Sequence, residues 1–426
     1  MDKREPALKQ ALSLFDATAI SVGAIVGAGI FVVTGIAAGY AGSALVVSML
    51  LAAAVSFFTA ISFAELAASY PKEGSVYEYG YQLVSPFAGF ATGWMWMLSN
   101  TFAGAAVSLT FAYYVTALIP ALAYPNIIAA VLCLSFTVLN YHGIRESALI
   151  NNFLVSAKLV ILAFFCIFGL FFVNRSNFVP FVILQPGVLY GAYFIFFAYG
   201  GFARVAVIAE EIRDAKRNVP RAMLLSLAIS TVFYIVVGLV AVGLAGPAKL
   251  AASNSPLKEA ISVSGNVGAA FLVSVGGLLA TASVLLTSII GVSRMAYAMA
   301  RRGDLPRTMS RLHMKHGTPH YAICIVGVLM TLLVLFIDLS SVIAISTFAM
   351  LFYYASANIS ALRLAPDKMM YPRTVPMIGV ATCIGLLGFI LFVSAQAWIV
   401  GILGLFAGSV YYVVKQKLSA PTRTSA

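Results

Sequence analysis

The chain has 426 residues, 62% hydrophobic and only 9% charged, whereas a water-soluble domain carries roughly 25% charged residues. So little charge cannot coat a water-facing surface of this size, which argues against a soluble enzyme or binding module and makes lipid the expected solvent. The formal net charge of +12 invites a nucleic-acid partner, but the placement of the charges accounts for it without one.

The chain starts with the polar MDKREPALKQ. The first apolar run is too long for a signal-peptide core and is expected to remain as a true span. Twelve spans are predicted, near 15–39, 44–69, 86–119, 125–141, 150–173, 188–211, 222–246, 268–298, 319–337, 340–362, 377–394 and 396–414, from sustained apolar runs of about 20 residues. The third and eighth exceed a perpendicular crossing, which implies tilt. The longest connections, 247–267 and 299–318, are too short for a soluble domain. With the N-terminus inside the cell, 21 of the 26 Lys and Arg fall on the cytoplasmic side, counting Arg294 at the cytoplasmic end of the eighth span. Three (Arg175, Lys249, Lys258) fall outside and two (Lys158, Arg204) deeper within spans. Cytoplasmic loops attract basic residues, so the expectation is a multi-pass protein of the inner (cytoplasmic) membrane with both termini cytoplasmic.

Span 1 carries Gly27-Ala28-Gly29 near its middle, and span 6 carries Gly200-Gly201 near its own. If spans 1–5 and 6–10 are two halves, both interruptions fall in the first helix of a half, and the halves are inverted because five is odd. Paired glycine-interrupted helices at matching positions point to a transporter's substrate site. Unwound backbone at membrane depth exposes N–H and C=O groups that hydrocarbon cannot satisfy, so something polar must occupy the gap. The half-helix beginning near Gly29 and Ile30 would offer N–H groups to a carboxylate. Carbonyls around Phe197 and Ala198 would suit an ammonium. Together they match an α-amino acid zwitterion. The competing reading is close helix packing, since Gly23/Gly27 and Gly35/Gly39 each form a GxxxG.

SVGAIVGAGIF in span 1, FAELAASYPKEGSVYEYGY at 63–81, EEIRDAKRNVPRAM at 210–223 and ARRGDLP at 300–306 resemble, in order, segments of the amino acid–polyamine–organocation transporter family. Glu65, Pro71 and Gly74 fit the family's pattern after span 2, while Glu73 stands where a small residue is more usual. The resemblance implies an all-α polytopic membrane protein with discontinuous helices 1 and 6. It implies a five-plus-five inverted repeat (15–173 and 188–362) followed by two C-terminal helices (377–414), all in one transmembrane domain. It also implies alternating access. Carried over by position, Val26, Gly27, Ala28, Gly29 and Ile30 would line the carboxylate end, and Phe197, Ala198 and Tyr199 the amine end. Phe197 falls where relatives place an aromatic that closes over the substrate.

Lys158 lies about eight residues into span 5, roughly 12 Å deep at 1.5 Å per residue. A charge at that depth is a functional candidate, the bland alternative being a side chain that snorkels to the headgroups. Some proton-driven relatives place a lysine ammonium where sodium-driven ones bind a cation. The resemblance then implies that Gly23 offers Lys158 a carbonyl and Ser283 a hydroxyl, with Thr287 a weaker candidate. One proton would fasten span 1 to span 8 and its loss release them.

Arg204 is read as pairing with Glu211 or snorkelling, or else as touching an acidic substrate group or forming a gate. Glu65 is expected to cap or pair near the cytoplasmic mouth of span 2, with proton carriage the alternative, and Glu210 and Glu211 to join a local ion-pair network. Ser99, Asn100 and Thr101 suit either a cavity or interhelical hydrogen bonds. Trp94, Trp96 and Trp398 are placed near the interfaces. Ala203 stands where cationic-amino-acid exchangers place a glutamate, and Phe196, Phe197, Tyr199 and Phe202 lean towards neutral substrates.

Cys133, Cys166, Cys324 and Cys383 are scattered singly, and His142, His313, His316 and His320 lack a deep carboxylate at metal spacing. No metal, cofactor, catalytic residue or P-loop is expected. The chain thus reads as a proton-coupled importer of amino acids with neutral or broad specificity. An amino-acid exchanger is the alternative, and a channel a more distant one.

Overall fold

The computed structural model describes residues 12–70, 75–142, 148–207, 212–314, 316–392 and 394–419. Among them the secondary structure is helical, apart from one isolated parallel bridge between Leu12 and Ile212. A helix satisfies its backbone within the segment, as lipid requires.

The first helix, α1 (Leu14–Ile25), starts at a capping box in which Ser13 Oγ accepts from Asp16 N and Asp16 Oδ2 accepts from Ser13 N. After a break at Val26 and Gly27, the chain resumes as a π-helical turn, Gly29–Val33, that runs into α2 (Thr34–Ala41). Then come α3 (Leu45–Ser69), α4 (Ser75–Leu83), α5 (Pro86–Leu118), α6 (Pro125–Tyr141) and α7 (Ala148–Leu170). Span 6 is divided into α8 (Pro186–Tyr199) and α9 (Arg204–Val207). The remainder comprises α10 (Ala215–Ala251), α11 (Pro256–Ser262), α12 (Val267–Arg302), α13 (His320–Phe336), α14 (Leu339–Leu362), α15 (Thr374–Phe389) and α16 (Ala395–Ser419).

Nine described helical stretches are long and apolar enough to cross a membrane. The first, Leu14–Ser69, contains two predicted spans, and α6 and α13 are shorter apolar helices. Two elements depart from expectation. The short helix α4 buries Val76, Tyr77, Tyr79 and Gly80 in what read as a polar connection. The predicted 222–246 segment extends to Ala215–Ala251, with a kink at Gly246 (φ 74°) preceding Pro247.

In α14, 78% of the most apolar window is buried, against 22% in the last helix. The core therefore lies around α14, with α15 and α16 at the periphery. The long helix α5 packs on both α12 and α14, while α3 packs on α8 and α10. These contacts hold α1 and α8 between them.

Candidate functional site

Both interruptions are present and they touch. In α1 the ladder ends with Val26 N–H donating to Val22 O, and Gly27 N–H then turns back to Ile25 O at 2.8 Å. The following turn begins at Ala28 with no side-chain cap, so its leading N–H groups lack intrahelical acceptors. In α8 the ladder ends with Gly200 N–H donating to Phe197 O at 3.1 Å. Gly201 sits at φ +144°, a conformation that L side chains rarely adopt. A Cβ on Gly201 would lie 2.5 Å from Ala24 O, and one on Gly29 would overlap the Cα and Cβ of Ala198. Each break is therefore seated against the other helix, and glycine is what permits the approach.

A cavity opens where they meet. Gly27, Ala28, Gly29, Phe197, Ala198 and Gly201 line it from the two broken helices. Trp96, Ser99 and Asn100 line it from α5, Val284 from α12, and Ser346, Met350, Tyr353 and Tyr354 from α14. Val26, Ile30 and Tyr199, expected at the site, are buried beside it without lining it. The carbonyls expected to be free are partly engaged. Phe197 O accepts from Gly200 N–H, and Tyr234 Oη lies 2.8 Å from both Ala198 O and Ile25 O. A carbonyl oxygen has two acceptor positions, so both retain capacity for an ammonium.

Tyr234 was not singled out from the sequence. Its one proton is shared between the last turns of the two broken helices, which it ties together from α10. A tyrosine at mid-span was the available signal, because a buried hydroxyl needs a partner. Trp96 corrects the interface reading: it is 7% exposed and faces the cavity. Trp94 and Trp398 donate to Gly404 O and Leu387 O. Ser99 and Ser346 exchange hydrogen bonds at 2.9 and 2.8 Å, joining α5 to α14 at the cavity wall. Thr101 instead bonds back to Met97 O. Gly35 and Gly39 pack against Leu250, Pro256 and Ala251, so that GxxxG serves helix contact.

Lys158 is 1% exposed. Its Nζ donates to Gly23 O at 2.8 Å and lies 3.5 Å from Ser283 Oγ. The ammonium thus stands at the junction of α7, the first half of the broken helix and α12. It is held in the interior, not drawn to a surface. Thr287, one turn beyond Ser283, accepts from Arg204 Nη1 at 2.6 Å, while Ser288 Oγ takes Nη2 at 3.2 Å. Arg204 also lines the cavity.

The expected partner of Arg204, Glu211, lies outside the described residues, as do Glu210, Pro71, Glu73 and Gly74. Glu65 Oε1 accepts from the backbone N–H groups of Met370 and Tyr371, so it fastens the α14–α15 connection to α3. The described residues contain no group of His, Cys, Asp and Glu arranged to hold a metal ion. Cys133, Cys166 and Cys383 are buried as free thiols.

Residues 12–414 match the family model described as "Amino acid permease". An uncharacterized transporter of Mycobacterium tuberculosis is 36% identical over 98% of this chain and 93% of its own length. The branched-chain amino acid permease BcaP of Bacillus subtilis is 29% identical, with 97% and 95% covered. The methylthioribose transporter of the same organism is 30% identical, with 98% and 95% covered. With a family match over almost the whole chain and relatives aligned end to end, this chain belongs to the amino acid permease family, whose members are multi-pass membrane transporters and not enzymes.

Proposed function

We propose that the chain imports amino acids by proton-coupled alternating access, with neutral side chains as the main cargo. The observation that carries this reading is the junction at Lys158, where one ammonium bonds to the carbonyl of Gly23 just before the α1 break and approaches Ser283 on α12. Protonated, Lys158 donates to both and fastens the broken helix to α12. Deprotonated, it loses the charge-assisted part of that bond, and the first half of α1 is released to move. The cargo's carboxylate meets the N–H groups of Ala28, Gly29 and Ile30, with Val26 and Gly27 shaping the turn. Its ammonium meets the carbonyl end at Phe197 and Ala198, with Tyr199 behind.

The proposed architecture has twelve crossings, counting Leu14–Ser69 as two and adding α6 and α13. They form inverted repeats over 15–173 and 188–362, followed by helices at 377–414. The packing supports this pairing. Counterparts pack on one another: α3 on α10, α5 on α12 and α6 on α13. The contact of α7 with α12 is matched by that of α14 with α5, and α1 with α10 by α8 with α3. The basic loops support cytoplasmic termini in a bacterial inner membrane.

Uptake into proteoliposomes tests the mechanism. Wild type should accumulate a neutral amino acid when the pH gradient is imposed and should lose accumulation when it is collapsed. Lys158→Ala should bind cargo but fail to concentrate it. Undiminished gradient-driven accumulation by that variant removes Lys158 from the mechanism. Transport of methylthioribose with no competition from any amino acid would reassign the cargo, since that thiosugar has neither zwitterion group.

A further inference from the structure

Among the described residues lining the cavity, Arg204 is the one that carries a charge. We propose that Arg204 is a selectivity residue that holds the cavity at positive potential and excludes cargo with a cationic side chain. The inference rests on the cavity being the cargo site, as proposed above.

A guanidinium stays charged in a protein interior. Here the hydroxyls of Thr287 and Ser288 hold Nη1 and Nη2. Both acceptors are neutral, so they orient the charge without cancelling it, and no carboxylate lies within ion-pair distance among the described residues. Two of the five N–H donors are used in this way. The rest of the lining would have the opposite bias. Trp96, Phe197, Tyr353 and Tyr354 present aromatic rings, which attract ammonium groups, and Tyr354 Oη is buried with no hydrogen-bond partner among the described residues. Without Arg204 this cavity would favour a cation.

A zwitterion with a neutral side chain has no net charge, so its α-carboxylate offsets its α-ammonium against the arginine. Lysine brings one further positive charge. At an effective dielectric of about 20 and a separation of about 6 Å, the repulsion corresponds to roughly a hundredfold loss in affinity.

Norleucine and lysine isolate this effect, because they share a four-carbon side-chain backbone and differ by the terminal ammonium. Inhibition of labelled neutral amino acid uptake should require about a hundredfold more lysine than norleucine in wild type. Arg204→Lys should preserve the ratio, and Arg204→Gln should shrink it by at least tenfold while norleucine still competes. A merely structural role would weaken both competitors together and leave the ratio unchanged. Equal potency of lysine and norleucine on wild type overturns the proposal whatever the variants do, as does an unchanged ratio in Arg204→Gln. If no amino acid competes on wild type, the cargo assignment fails. The charge filter is then tested by the same ratio in displacing whatever neutral cargo is transported, using its aminated analogue.

Discussion

Replacing Gly29 by alanine adds one methyl group at the point where the two broken helices meet. That methyl would overlap the Cα and Cβ of Ala198, and backbone cannot rotate aside as a side chain can. Overpacking of this kind costs about 1–3 kcal/mol. If the strain is relieved by parting the helices, the geometry of the cavity goes with it, and a factor of about ten to a hundred in uptake is expected. Gly39→Ala is the internal control. Among the described residues its methyl would meet only the Cβ of Ala251, at 3.1 Å, which a shift of a few tenths of an ångström relieves. The assay is initial-rate uptake in proteoliposomes, with thermal unfolding of each purified variant alongside. Gly29→Ala should lose most uptake and Gly39→Ala should retain it. Wild-type uptake by Gly29→Ala would show that the breaks need not touch for transport, and the reasoning would be refuted.

Tyr234→Phe removes the proton shared by Ile25 O and Ala198 O and should cost about 1 kcal/mol. Its uptake should fall several-fold while the protein remains monodisperse; unaltered uptake would mean that the bridge is dispensable. Gly201→Ala forces an L side chain to φ +144° against Ala24 O and should abolish uptake, as measured in the same vesicles. Ser13→Ala removes the capping box of α1 and should destabilise by about 1 kcal/mol, read as a small fall in the unfolding temperature with cargo affinity unchanged. Glu78→Gln breaks the ion pair with Arg302, whose Nη1 lies 2.8 Å from Glu78 Oε2. This pair is only partly screened from solvent, so the loss should be about 1 kcal/mol or less and should shrink as salt is raised.

The apolar runs made the long helices legible. The predicted 86–119 and 125–141 became Pro86–Leu118 and Pro125–Tyr141, because proline at a helix start and the end of an apolar run are both local signals. The glycine pairs located the breaks for the same reason: left-handed or closely approached backbone needs glycine where it occurs. The helix α4 was not legible, since VYEYGYQL lacks the apolar length of a span and its burial comes from tertiary packing, on α5 and on α14. Distance in sequence hid Tyr234, which bridges the breaks, and Met350, Tyr353 and Tyr354, which line the cavity, because nothing local says which face of a buried helix meets the breaks. Trp96 was misread on a general tendency of tryptophan that tertiary packing overrode. The lysine was found from its cost alone. A charge so far into an apolar run demands partners, and the family resemblance pointed to Gly23 and Ser283 beside it.

A structure determined with a bound neutral amino acid tests the central claim most directly. The account predicts density between the two breaks. The carboxylate should lie within about 3 Å of the N–H groups of Ala28, Gly29 or Ile30, a normal hydrogen-bond distance, and the ammonium should face the Phe197 and Ala198 carbonyls. Cargo bound elsewhere, or an unbroken helix through Gly27–Gly29 or Gly200–Gly201, would contradict it.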